Sequence, residues 1–198
     1  MLDLSEYKAL IFDLDGTLVN SMPAHLEAWQ HASQIHHFPF DKTWLGSKGG
    51  MPSRNIVKLI NDRYELTLDP EQVSQTKAQH FATIRDHCEL IPATAKLLCD
   101  YYNKKKIAIG TGSQRENALK LLQGKSIEHC FDVLISANDV SEHKPHPATF
   151  LAAAKALGVS PKQCVVFEDA ELGFEAAHRA GMALIKVDKN GQLQSENA

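Results

Sequence analysis

No apolar stretch in this chain of 198 residues approaches the roughly 20 needed to span a bilayer. Basic residues are not in excess: 21 Lys and Arg stand against 24 Asp and Glu, for a formal net charge of −3. That balance argues against a nucleic-acid surface. The single basic run, Lys104-Lys105-Lys106, precedes an expected strand and reads as a solvated connector. The start, Met1-Leu2-Asp3-Leu4-Ser5-Glu6, is acidic and lacks the basic-then-apolar pattern of a signal segment. Cysteine is scarce, and Cys88, Cys99, Cys130 and Cys164 have no short paired spacing. Neither a zinc site nor a disulfide framework is therefore expected, and the four read as small buried hydrophobes in a reducing cytoplasm. Internal repeats and low-complexity segments are also missing. What remains is ordinary globular composition, 43% hydrophobic and 23% charged, in a length that allows one good core with a smaller appended unit.

The order of elements divides the chain. Lys8 to Phe12 is an apolar strand running into Asp13-Leu14-Asp15-Gly16-Thr17. Residues 22 to 88 then read as all-helical. A first helix runs from Pro23, capped by Ser21 or Met22, to about His36, with Leu26, Trp29 and Ile35 among its apolar positions. Gly46-Ser47-Lys48-Gly49-Gly50 is expected as a flexible loop. A second helix covers Pro52 to Tyr64, and a third opens at Asp69-Pro70-Glu71 and lasts to about His87. From Ile91 onward the pattern alternates. Helices at 93–102, 115–123, 147–157 and 172–180 separate strands at 106–110, 133–136, 163–167 and 183–187, which indicates βαβ units and a parallel sheet. Residues after Lys189 are polar and are expected to fray. The fold class is thus α/β, a parallel sheet with helices on both faces and a helical block inserted between its first strand and the rest.

Chemistry collects after the strands. Asp13 and Asp15, two apart at the end of a strand, point to one side. Thr111-Gly112-Ser113 follows the second strand, Lys144 comes after the third, and Glu168-Asp169 follows the fourth. Each has a plain alternative. Asp15-Gly16 suits a hairpin turn, Ser113 a helix cap, Lys144 a surface loop, and Glu168-Asp169 an acidic helix start. All four sit at the carboxyl edge of one sheet, where open α/β folds bind ligands. Oxygen donors in a half-open site suit a hard cation that keeps waters and also binds phosphate. A carboxylate nucleophile, a lysine, hydroxyls and a second carboxylate complete the needs of phosphoryl transfer.

In order and context, Asp13-Leu14-Asp15-Gly16-Thr17, Thr111, Lys144 and Glu168-Asp169 resemble the four motifs of the haloacid dehalogenase-like phosphatases and phosphomutases. The resemblance implies a Rossmann-like core, 1–20 with 89–198, and a small helical cap, 21–88. It implies that Asp13 is the nucleophile and Asp15 the general acid/base, with Thr111 and Lys144 on the transferring phosphate. Mg²⁺ would be held by Asp13, Asp169 and the Asp15 carbonyl, with Glu168 in support. His25-Leu26-Glu27-Ala28-Trp29 is similar to the β-phosphoglucomutase-like branch, while Asn20 stands where mutases carry an acid. In that branch His25, Lys48, Arg54, Gly112 and Ser113 would contact substrate. The plain alternatives are a helix histidine for His25 and solvated charges for Lys48 and Arg54. His143 and His146 make a poor metal pair between two prolines. Phe167-Glu168-Asp169-Ala170 and Gly110-Thr111-Gly112-Ser113 look similar to the short fructose-1-phosphate phosphatases. The implied activity is a Mg²⁺-dependent phosphatase on a small sugar phosphate, with β-phosphoglucomutase as the alternative and a non-catalytic binding protein as a third reading. The expected protein is cytoplasmic and monomeric, with a phosphorylated sugar as its partner and neither nucleic acid nor membrane.

Overall fold

The computed structural model describes residues 2–196. Six strands form one sheet in the order β3-β2-β1-β4-β5-β6: β1 (Ala9–Phe12), β2 (Lys106–Gly110), β3 (Val133–Ile135), β4 (Cys164–Glu168), β5 (Ala183–Val187) and β6 (Leu193–Ser195). The first five are parallel and β6 is antiparallel to β5. A strand buried on both faces must be apolar at every position, and all four residues of β1 are. Leu10 and Phe12 join one hydrophobic cluster with Ala95 and Leu98 of α5 (Pro92–Tyr101) and Leu121 of α6 (Arg115–Leu122). Ala9 and Ile11 point the other way, into a cluster with Phe150 of α7 (Ala148–Leu157) and Ala176 of α8 (Glu171–Arg179). Helices thus cover both faces, as expected.

Chain order reverses beside β1, which pairs with β2 on one side and β4 on the other. The crevice at such a point lies at the carboxyl ends of the strands, where β1 delivers Asp13 and β4 delivers Glu168.

The insert contains α1 (Met22–His36), α2 (Lys42–Gly46), α3 (Ser53–Tyr64) and α4 (Pro70–Ile84), followed by one 3₁₀ turn to His87. It has its own core of Trp29, Phe38, Leu45, Ile56, Val57, Ile60 and Val73. Asp69 caps α4 by accepting from the amides of Glu71 and Gln72, with Pro70 in the first turn. The two crossings into the insert lie side by side. Asn20 N donates to Glu89 O at 2.9 Å, Ile91 N donates to Leu18 O at 2.9 Å, and Val19 bridges to Leu90.

Four expectations need correction. The loop expected at 46–50 starts one residue later, because Gly46 closes a helical turn, Lys42–Gly46, that the sequence pattern does not predict and that the Asp41 carboxylate caps by accepting from Trp44 N. Ile35 is not a core position of α1; it is 55% exposed. The tail does not simply fray: Leu193–Ser195 hydrogen-bonds to the edge of β5, and Lys186 and His178 both hold the Glu196 carboxylate. Its last residues, 197–198, lie outside the described residues. Cys88 and Cys164 are buried, but Cys99 and Cys130 are only half-buried, with their sulfurs 3.1 Å apart. Among the described residues no helix is long and apolar enough to cross a membrane.

Candidate active site

At the ends of β1 and β4 a buried ion network takes shape. Lys144 Nζ donates to Asp13 Oδ1 at 2.5 Å, to Glu168 Oε2 at 2.7 Å and to Gly110 O at 3.3 Å. Asp13, Lys144 and Glu168 are all at most 2% exposed. Burial lowers the proton affinity of the lysine, but the two carboxylates beside it win and raise its pKa above the ordinary range. One lysine does not balance the acids. Burial first, then Glu168, pushes Asp13 well above its usual value despite Lys144. The same two causes take Asp169 to about 7, although Thr17 Oγ1 donates to it at 2.8 Å. Glu168 is held at both oxygens, Oε2 by Lys144 and Oε1 by the amides of Asp169 and Ala170 at 3.1 Å.

Asp13, Glu168 and Asp169 each offer a carboxylate oxygen within 4.8 Å of the other two. Excess negative charge, low water access and oxygen-only donors fit a hard divalent cation. Gly16 makes the approach of the two loops possible. Its φ is +94°, and a Cβ there would lie 2.2 Å from Asp169 Oδ2.

Asp15 turns away from this cluster toward the insert. Its Oδ1 accepts from Ser21 Oγ at 2.7 Å and meets His25 Nε2 at 3.0 Å; its Oδ2 accepts from Ser113 Oγ at 2.7 Å and Thr111 Oγ1 at 3.3 Å. Burial raises its pKa, but His25 and the two serines outweigh burial and hold the carboxyl far below the carboxylate range. Ser21 does occupy the N-cap of α1, yet its hydroxyl serves Asp15 rather than the helix. Ser113 is likewise not the cap of α6, a position taken by Gln114.

Behind His25 stands a residue that sequence reasoning missed. Lys77, on α4 and buried, reaches His25 Nδ1 at 2.7 Å. An ammonium can only donate and a carboxylate can only accept, so His25 carries its proton on Nε2 and gives that hydrogen bond to Asp15. Burial and the neighbouring Lys77 lower the His25 pKa, against the pull of Asp15. Burial brings Lys77 itself down to about 8. The His25 ring stacks on Phe81 at 4.2 Å between centroids. In sequence Lys77 is one more charged residue on an amphipathic helix; only its place one turn before Phe81 hints at an inward position.

A cavity of about 340 Å³ joins these groups to the insert, within the usual range of small-molecule sites. Asp13, Asp15, Thr111, Gly112 and Ser113 line it from the sheet edge, and His25, Lys48, Arg54, Glu71 and Lys77 line it from the insert. Thr111 is buried. Gly112 meets the insert directly: a Cβ there would fall 2.1 Å from Gly50 O. Lys48 Nζ lies 5.3 Å from the centre of the Trp44 ring, and Arg54 is paired with Glu71. The site residues expected from sequence therefore converge, except that the Asp15 side chain faces Ser21 and His25 and Arg54 already has a carboxylate partner. His143 and His146 form no metal cluster among the described residues.

The model of the haloacid dehalogenase-like hydrolases matches residues 10–187. The chain belongs to that family. Among curated relatives of this hydrolase, the "Fructose-1-phosphate phosphatase YqaB" of Escherichia coli is 35% identical over 182 residues, covering 91% of this chain and 96% of the relative. The "Beta-phosphoglucomutase" of Bacillus subtilis is 30% identical, covering 91% and 83%. Among solved structures, a β-phosphoglucomutase from Clostridium difficile superposes with a TM-score of 0.82 at 27% identity, covering 91% of this chain and 84% of that one. The family assignment thus agrees with the resemblance read from the four motifs.

Proposed function

We propose that this haloacid dehalogenase-like hydrolase is a Mg²⁺-dependent phosphatase that hydrolyses a small sugar phosphate, such as fructose 1-phosphate, through an aspartyl phosphate on Asp13. The carrying observation is the meeting of Asp13 and Lys144 with Glu168 and Asp169 around one buried point. Asp13 and Asp169, with the Asp15 carbonyl, would hold Mg²⁺, and Glu168 would anchor Lys144 and the loop beneath it. The cation would mask charge on the nucleophile and the phosphate.

Asp13 attacks phosphorus, forming the Asp13–phosphorus bond as the bond to the sugar oxygen breaks. Lys144 and Thr111 take the equatorial oxygens, where negative charge is spread in the transition state. The leaving oxygen receives a proton from Asp15; water then attacks the phosphoaspartate, the bond between Asp13 and phosphorus breaks to free inorganic phosphate, and Asp15 takes the water's proton. At rest Asp15 is ionised, which suits the second half. For the first half, the line Lys77–His25–Asp15 supplies the proton: Lys77 gives one to His25 Nδ1 while His25 Nε2 passes one to Asp15. Lys77, at about 8, is poised to exchange it near neutral pH. The insert, 21–88, acts as a cap over this chemistry, closing a chamber that excludes bulk water and favours small substrates.

Phosphate release from a panel of phosphorylated metabolites, measured with Mg²⁺ and with EDTA, tests this reading. Release from sugar monophosphates that EDTA abolishes is the expected result; release unaffected by EDTA would remove the cation from the mechanism. The second reading, a phosphomutase, has support from the relative named "Beta-phosphoglucomutase". It predicts isomerised sugar phosphate without free phosphate when a bisphosphate primer is added. A net charge of −3 supports a small-molecule partner over nucleic acid, and we take the enzyme to be cytoplasmic and monomeric.

A further inference from the structure

Three cations of the insert line the cavity, and all three are already engaged. Lys77 is committed to His25, and the Lys48 ammonium sits over the Trp44 ring. Arg54 is the group whose planar fork matches an incoming phosphate, but that fork is filled from within. Arg54 Nε meets Glu71 Oε2 at 2.6 Å and Arg54 Nη2 donates to Glu71 Oε1 at 2.8 Å, so one edge of the guanidinium holds both carboxylate oxygens. The backbone of Glu71 is held independently of Arg54. It lies in the first turn of α4, its amide held by Asp69, where the helix N-terminus favours an anion.

We infer that Glu71 is a specificity residue: it neutralises Arg54 on the insert wall of the cavity that Asp13 lines from the sheet edge, selecting sugars with one phosphate over sugars with a second anionic group. The inference rests on the phosphatase reading of the site. A monophosphate needs only the buried lysine and hydroxyls at the sheet edge. A bisphosphate must place its second phosphate beside Arg54, displace the Glu71 carboxylate and then remain next to it. Selection of this kind works by a repulsive element as much as by an attractive one. It also bears on the fate of the phosphoryl group. Moving it between two hydroxyls passes through a doubly phosphorylated sugar that must stay bound and turn over, whereas a site that rejects that species leaves water as the acceptor.

The pair is more than half exposed at each side chain, and exposed pairs are worth at most about 1 kcal/mol, or roughly fivefold. Glu71→Gln is therefore expected to raise kcat/KM for fructose 1,6-bisphosphate over that for fructose 1-phosphate by about fivefold, mostly through KM. The gain should vanish in Glu71→Gln with Arg54→Ala. Each rate is normalised to p-nitrophenyl phosphate, which has no second anionic group. Calorimetric binding of both sugars to the full chain carrying Asp13→Asn, with and without Glu71→Gln, reads the same preference without turnover. An unchanged preference in a chain that hydrolyses monophosphates overturns the role of Glu71 and leaves the phosphatase reading standing. The binding shift without any hydrolysis overturns the phosphatase reading and supports the role of Glu71.

Discussion

The sheet edge and the helical insert face the same cavity but hold their charges in opposite ways. At the edge, Lys144 is locked between Asp13 and Glu168 with side chains at most 3% exposed. On the insert, Arg54 and Glu71 are paired with 59% and 61% of their side chains in solvent. Ions in a low dielectric interact strongly and are costly to disturb, whereas exposed ions are screened and exchange partners readily. On the proposed function, the groups that stabilise the transferring phosphate sit in the first environment. The pair to which we assign the choice between sugars sits in the second. Lys77 breaks the pattern: it belongs to the insert and is buried like a sheet-edge group.

The sharpest separation comes from Asp13→Asn. Turnover should fall by at least about 10³-fold, as for loss of a nucleophile acting in a concerted set. Burial and Glu168 raise the Asp13 pKa, so its charge costs native stability at neutral pH, and the melting temperature should hold or rise. A lower melting temperature would contradict the crowding of acids described above. Lys144→Ala should be nearly as inactive but unstable as well. It leaves two buried carboxylates without their cation, a loss on the order of 3–5 kcal/mol that denaturant titration would register.

Lys77→Met tests the exception. Its effect on turnover should be smaller, about tenfold or more in kcat, because it acts through His25. Stability should move the other way. Between pH 8 and 10.5 the unfolded chain holds a proton on Lys77 that the folded chain lacks, so native stability rises with pH across that window. Below pH 8 the full cost applies, roughly 3 kcal/mol for a shift from 10.5 to about 8. The Met variant should therefore be more stable than the parent at pH 7, with the difference closing toward pH 10.5. A difference independent of pH would make Lys77 a packing residue with no unusual ionisation.

The sheet edge was readable in the sequence and the insert much less so. Asp13, Asp15, Thr111, Lys144, Glu168 and Asp169 each follow or precede elements whose apolar runs are unmistakable, and the parallel topology alone brings their backbones to one side. Lys77 and Glu71 sit on a helix whose polar face could have pointed anywhere, and their contacts with His25 and Arg54 span 52 and 17 positions. No local spacing encodes such a meeting. The turn at Lys42–Gly46 was hidden because its capping acid, Asp41, precedes only five helical residues. The polar strand at Leu193–Ser195 was hidden because an edge strand needs no apolar alternation to take up the hydrogen bonds of β5.

The paired crossings at Leu18–Asn20 and Glu89–Ile91 leave the entrance and exit of the insert stitched together like the two wires of a socket. Any substitute segment whose ends meet at that spacing could be plugged in without moving β1 or the acids it carries. The sheet edge and the insert can thus be exchanged separately only in part: a foreign helical block grafted across these two crossings should keep Asp13, Lys144, Glu168 and Asp169 in place but must bring its own partners for Asp15, because His25 and Lys77 leave with the block.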